Sequence, residues 1–306
     1  MLVSVVFETV LLFFVPSIFS EEMSRFSTKS PYIFKQFSIE SYPNYEPTKA
    51  WAILRHGTRL PSKKVISKYI GLAGLRDELL LKSKSLSDQQ RVAFERWQPM
   101  EMKLEHQKFL TKQGEQEHLQ LGSRFRERFP SLFDENSSFV FKHTPTQRTE
   151  LSAQKFIEGM FPGNVNEHQS IVVNHDDPVL RPYKGCTLWR QTVKKNKSVS
   201  LKEKEAFESS VHVENLVNEF REQTRIDHLT INDLELIYTT CAFENSWEHQ
   251  LHQGESVWCS LFKNEDQLKV MEYLEDLEYF WVDGPGFEIT RKVACKTVED
   301  IFTQIE

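Results

Sequence analysis

The chain has 306 residues, enough for one large domain or two ordinary ones. It is 39% hydrophobic and 27% charged, the usual balance of a soluble globular protein. Its net charge of −6 excludes a general attraction to nucleic acid, so an anionic ligand needs a local basic pocket.

Residues 1–20 carry an apolar stretch, Leu2 to Phe7 and Val10 to Phe19, interrupted by Glu8 and closing on Ser17-Ile18-Phe19-Ser20. The pattern predicts a secretory signal peptide cut near Ser20, with an uncleaved anchor as the alternative. No other stretch is apolar enough to span a membrane. The four cysteines, Cys186, Cys241, Cys259 and Cys295, form an even set without C-x-x-C, which argues against a zinc site. Cys241 and Cys259 flank a short aromatic segment and are expected to pair. Cys186 and Cys295 pair with each other or with partners outside the chain. Asn136-Ser137-Ser138 and Asn196-Lys197-Ser198 are glycosylation sequons at Asn136 and Asn196. Together these place the protein outside the cell or in the lumen of the secretory pathway.

Residues 21–45 read as a lead-in over the surface. Trp51-Ala52-Ile53-Leu54 reads as a buried strand of a parallel sheet, ended by Arg55-His56-Gly57-Thr58-Arg59-Leu60-Pro61. Ligands of open α/β sheets sit at the carboxyl ends of strands. Two guanidiniums around one imidazole suit a tetrahedral oxyanion, and the imidazole is a possible phosphoryl acceptor. The plain alternative is that Arg55 and Arg59 pair with carboxylates and His56 only caps a strand.

Helical spacing runs from Lys63 to Lys82, and Ser85-Leu86-Ser87-Asp88 marks a break before a second helix over 89–98. A third helix starts at the N-cap candidate Thr111 and runs to about Arg128, with Leu121, Phe125 and Phe129 on one face and no catalytic group assigned. Ser138-Phe139-Val140-Phe141 is a second strand, followed by a turn holding His143 and Arg148 and then a helix. A basic residue at such a turn is well placed for phosphate at a helix N-terminus; a solvated surface arginine is the alternative. Residues 187–200 are basic and polar and read as an exposed loop. Helices follow over Leu201–Arg225, from Ile231 to Cys241, and from Asn264 to Trp281, with a last helix ending at Ile305.

Arg-His-Gly-x-Arg-x-Pro after an apolar strand resembles the signature of the histidine acid phosphatases (branch 2). From about residue 45 onward the chain is similar to the multiple inositol-polyphosphate phosphatases and phytases of that family. The resemblance implies an α/β fold, a Rossmann-like sheet core with an inserted helical cap, divided as core 21–186 and 282–306 and cap 187–281. It implies His56 as nucleophile and Arg55, Arg59 and Arg148 as phosphate ligands, with a small phosphorylated anion as substrate and no cofactor or metal. The run Leu110-Thr111, Gly114, Glu117, Leu121-Gly122, Arg124 resembles the helix that backs the family's active site.

The family's general acid sits in a His-Ala-Glu or His-Asp motif after the helical insertion. His175-Asp176 precedes that insertion and is not taken as the motif. His212-Val213-Glu214 lies in an amphipathic helix, and His228, His249 and His252 lack the pattern. The expectation is therefore a chain that stops short of the third motif. Three functions stay open: an inositol-polyphosphate phosphatase, a phosphate-binding form without turnover, and a general acid phosphatase.

Overall fold

The computed structural model describes residues 2–4, 25–30, 32, 46–134, 137–163, 169–173, 178–248 and 256–305. Most of the segment 1–20, Asn136, His175, Asp176, His249 and His252 lie outside the described residues.

Four strands form one mixed sheet in the order β2-β1-β3-β4. They are β1 (Leu2–Ser4), β2 (Trp51–Ile53), β3 (Phe139–His143) and β4 (Gln169–Val173). β1 lies antiparallel to both β2 and β3, so β2 and β3 point the same way; β3 and β4 pair parallel, Phe139 opposite Gln169 through His143 opposite Val173. The expected Rossmann-like parallel core is present only as that β3–β4 pair. β2 is also not the fully buried parallel strand read from its apolar run. It is the edge of the described sheet, with one side unpaired, and Ile53 is 51% exposed.

Two helices cover the sheet. α4 (Lys112–Arg128) starts at Thr111, whose side chain accepts from Gly114 N as an N-cap. α5 (Gln147–Met160) follows β3 directly. Phe139 and Phe141 alternate onto one face of β3 and meet Ala153, Phe156, Ile157 and Met160 of α5, with Phe125 of α4 against them. α4 and α5 touch backbone to backbone at two glycines. A Cβ on Gly122 would stand 2.1 Å from Phe156 O, and one on Gly159 would stand 2.0 Å from Leu119 O.

The remaining helices form a second, larger core. α1 (Lys63–Tyr69), α2 (Leu72–Lys82) and α3 (Asp88–Arg96) precede α4 in sequence. A capping box starts α3, where Ser87 and Gln90 satisfy each other's backbone N–H. Tyr69, Leu72, Leu79 and Phe94 of these helices share one hydrophobic cluster with α10 (Val211–Thr224), α11 (Ile231–Glu248) and α12 (Glu265–Val282). Cys241 and Cys259 are disulfide-bonded inside it, as expected; Cys186 and Cys295 carry free thiols.

Residues 187–200 correct the sequence reading. α6 (Pro182–Gly185) and α7 (Thr187–Trp189) lead into a π-helical turn over Arg190–Lys194, then α8 (Lys197–Ser200) and α9 (Lys202–Glu208). Trp189 and Val193 are buried against Val282, so two apolar residues among many lysines are enough to dock the segment. The chain closes with α13 (Glu288–Val293) and α14 (Cys295–Ile305), and Asp300 of α14 accepts from Trp51 Nε1 at 2.9 Å.

The lead-in is partly described. Phe26 is buried, while Arg25 pairs with Glu265 and Glu272 and Lys29 with Glu275, so residues 25–30 lie along the acidic face of α12. Among the described residues no helix is long and apolar enough to cross a membrane.

Candidate active site

The loop 55–61 leaves the carboxyl end of β2 and is pinned from three sides. Glu117 of α4 accepts from both Thr58 N at 2.8 Å and Thr58 Oγ1 at 2.7 Å. Thr111 donates to Thr58 O from its amide and its hydroxyl, both at 2.9 Å. His118 Nε2 donates to the Arg55 carbonyl at 3.0 Å, because a carbonyl only accepts. From α5, Ser152 Oγ accepts from Gly57 N at 3.1 Å. Gly57 and Gly114 let these backbones meet: a Cβ on Gly114 would stand 2.3 Å from Thr58 O.

His56 is thereby presented in one tautomer. Its Nδ1 lies 2.8 Å from Gly57 O and must carry the proton, leaving Nε2 with a free lone pair. Burial pushes the His56 pKa down to about 4, and the Arg148, Arg55 and Arg59 charges act in the same direction. The ring is neutral through the mildly acidic range.

The three arginines come together around it. Arg148 enters from the start of α5, held in register because the neighbouring Gln147 Oε1 accepts from Leu110 N at 2.9 Å. The four groups thus arrive on two loops that meet at 110–111. Arg55 Nη1 donates to Thr28 O at 2.8 Å, and Arg59 Nη1 to Leu60 O at 2.9 Å. Arg59 also lies over the Phe243 ring of α11, 5.9 Å from its centroid. Burial lowers the Arg59 and Arg148 pKa values, with neighbouring cations adding to it. None of the three arginines makes an ion pair with a carboxylate among the described residues. Arg148 Nε is buried without a hydrogen-bond partner. Guanidiniums without a carboxylate partner among the described residues, beside an imidazole nitrogen with a free lone pair, have the chemistry to hold a tetrahedral oxyanion.

Other sequence candidates fall elsewhere. His143 is buried under its own turn with Nδ1 3.0 Å from Thr144 O. His212 of α10 stacks on Phe207 of α9, and His228 pairs with Glu78 at 3.4 Å. Asn196 is half-buried ahead of α8. Among the described residues no cluster of three or more His, Cys, Asp or Glu is placed to hold a metal. Sequence reasoning missed the roles of His118 and Ser152. His118 belongs to no spacing pattern and Ser152 only to the run of Ser152, Ala153, Phe156 and Gly159 that follows Arg148, and the crossing of α4 and α5 over the loop brings both to it.

Residues 48–306 match the histidine phosphatase superfamily (branch 2). Multiple inositol polyphosphate phosphatase 1 of Drosophila melanogaster is 30% identical across 94% of this chain and 65% of its own length. The Homo sapiens protein of the same name is 27% identical across 85% of this chain and 55% of its own length. The chain thus spans between about half and two thirds of the curated relatives it matches. Among solved structures, the phytase from D. castellii superposes with a TM-score of 0.63 at 18% identity, over 80% of this chain and 53% of that one. The Bifidobacterium longum multiple inositol polyphosphate phosphatase in complex with inositol hexasulfate gives 0.60 at 14% identity, over 92% of this chain and 74% of that one. At these identities the likeness is one of fold.

Proposed function

The chain belongs to the histidine phosphatase superfamily (branch 2), and from that premise we propose a phosphoric monoester hydrolase acting on inositol polyphosphates. One observation carries the reading: His56 offers a proton-free Nε2 among three arginines that have no carboxylate partner among the described residues. Nε2 attacks phosphorus in line, and the P–N bond forms as the P–O bond to the leaving alkoxide breaks. Arg55, Arg59 and Arg148 hold the equatorial oxygens, where charge accumulates. The alkoxide takes up a proton from solvent water. Water then attacks the phosphohistidine, inorganic phosphate leaves, and Nε2 is restored.

The names of the relatives, multiple inositol polyphosphate phosphatase, support the substrate class. Phe243 of α11 and Tyr279 of α12, both acting on Arg59, support a helical cap over the pocket. The disulfide Cys241–Cys259 and the sequon at Asn196 support a secreted or lumenal location, whereas the pairing of Leu2–Ser4 with β2 and β3 speaks against removal of residues 1–20 as a signal peptide.

A second reading is phosphate binding without turnover, because the last third of the chain contains no His-Ala-Glu or His-Asp. Phosphate release from inositol hexakisphosphate by the wild type and by His56→Ala separates the two. Release abolished in the variant supports the phosphatase. Equal rates in both refute it, and ligand binding with no release selects the second reading.

A further inference from the structure

Residues 25–30 connect the helical layer to the loop that carries His56. The Arg25 carbonyl accepts from Tyr238 Oη of α11 at 2.6 Å, and the Arg25 guanidinium pairs with Glu265 and Glu272 of α12. Phe26 is buried against the Tyr238 ring, the two centroids 5.7 Å apart. Ser27 donates to Asp276, Thr28 Oγ1 donates to Tyr279 Oη at 3.0 Å, and Lys29 pairs with Glu275. Each residue from Arg25 to Lys29 is thus tied to α11 or α12. One backbone group of the segment goes to the loop instead: Thr28 O accepts from Arg55 Nη1 at 2.8 Å.

The turn that presents this carbonyl is strained. Ser27 sits at φ +49°, in the left-handed region that residues other than glycine adopt only at a cost. Such a conformation persists where surrounding contacts over-determine it, and the ties on either side of Ser27 supply them. Arg55 is exposed, and fixing one rotamer of a long exposed side chain costs conformational entropy. Among the described residues the Arg55 guanidinium makes this one hydrogen bond, whereas Arg59 is also held against the Phe243 ring. A guanidinium has five N–H donors, so the bond to Thr28 O leaves four for an anion.

We propose that residues 25–30 form a strap that positions Arg55, passing the setting of α12 to the phosphate-binding pocket through the Thr28 carbonyl. This rests on the phosphatase reading and adds to it a positioning role for residues remote in sequence from the signature loop. The strap orders Arg55 before an anion arrives, so the ordering cost is not met on binding. Losing that order for one long side chain weakens affinity by about threefold to tenfold.

Titration calorimetry with inorganic phosphate tests this in a double-mutant cycle with Arg55→Gln. The strap variant combines Thr28→Val, Lys29→Gln and Glu275→Gln. It removes the two ties nearest the carbonyl and leaves the net charge unchanged, so general attraction of the anion is the same. The expected result is a phosphate affinity about threefold to tenfold weaker than wild type. No further loss is expected when the strap variant is combined with Arg55→Gln. The exchanged pair Lys29→Glu, Glu275→Lys, which keeps the ion pair, is expected to bind as wild type does. An equal loss with and without Arg55 overturns the strap, because the segment would then act on the fold at large. Unchanged affinity in the strap variant overturns it as well. If the strap variant unfolds, Thr28→Val alone, which removes only the bond to Tyr279, is taken through the same cycle and read the same way. A wild type that binds no phosphate overturns the phosphatase reading and the strap with it; the other failures leave that reading intact.

Discussion

Glu117 grips Thr58 with both carboxylate oxygens, one on the amide N–H at 2.8 Å and one on the hydroxyl at 2.7 Å. Thr58 lies between His56 and Arg59, so this pair sets the path of the loop that aims both. Glu117→Gln keeps the size but offers one acceptor oxygen in place of two. The loss of a charge-assisted bond costs about 1.5–3 kcal/mol. Because the loop is held by further bonds, the protein is expected to fold. Turnover of inositol hexakisphosphate is expected to fall about tenfold or more, with the larger change in kcat, since orientation of the nucleophile is what suffers. Steady-state kinetics of the variant checks this.

The two histidines nearest the loop make stability depend on pH. Burial lowers the pKa of both His56 and His118 to about 4, against an ordinary value of 6.5. The unfolded chain therefore binds more protons than the folded one between pH 6.5 and 4. Stability falls as pH drops through that window and levels off below 4. For His118, only 3% exposed, the loss is about 3 kcal/mol; the more open ring of His56 contributes less. Urea unfolding at pH 6.5 and 4.5 is expected to show a smaller drop for His118→Gln than for wild type. Equal drops would refute the assignment.

His56 and the arginines whose charges act on it were legible because their chemistry is local. Arg55, His56 and Arg59 sit within five residues of one strand end, and Thr-Gln-Arg opens a helix just after another. What resisted reading is written in contacts between distant segments. Trp189 and Val193 look like stray apolar residues in a lysine-rich loop until Val282 covers them. Tyr69 and Phe94 have ordinary helical spacing, which carries no sign that their partners are Glu244 and Trp258, more than a hundred residues on. Three strand residues near the amino terminus join the sheet inside a stretch whose composition speaks of export.

Gly114 marks a tight backbone approach behind the loop that carries His56. A Cβ there meets Thr58 O at 2.3 Å and Thr58 N at 2.8 Å, both backbone atoms that cannot swing aside. Gly114→Ala must push α4 off the loop, at an overpacking cost of about 1–3 kcal/mol. The expected outcome is a lower unfolding temperature together with a loss of activity larger than stability alone explains. Gly74, whose Cβ would meet nothing within 4 Å, provides the control. Gly74→Ala in α2 is expected to be neutral or slightly stabilising.

The disulfide staples the helical layer. Cys241 and Cys259 are 18 residues apart in sequence, and both lie in the buried cluster that unites α1–α3 with α10–α12. Closing a loop of this length is worth about 3 kcal/mol. The double variant Cys241→Ser, Cys259→Ser is expected to unfold at lower urea concentration, and a reducing agent should destabilise wild type but not the variant. Denaturation with and without reductant reads this directly.

The arginine cluster stores charge repulsion that only a ligand relieves. Arg148 has its pKa lowered by burial and by Arg181, and its Nε has no partner. Replacing it with glutamine removes a half-buried positive charge and the repulsion it shares with Arg59 and Arg181. Arg148→Gln is therefore expected to raise the unfolding temperature of the ligand-free protein. The same change removes a ligand for phosphate, so stabilisation by added phosphate should shrink. In wild type, phosphate at 100 times its Kd adds about 2.7 kcal/mol. Thermal scans across a phosphate series, at constant ionic strength, carry both outcomes. The lines for wild type and variant should cross, the variant more stable without phosphate and less stable with it. A variant less stable at every concentration would show that Arg148 is held by the fold for its packing, with no burden of unpaired charge.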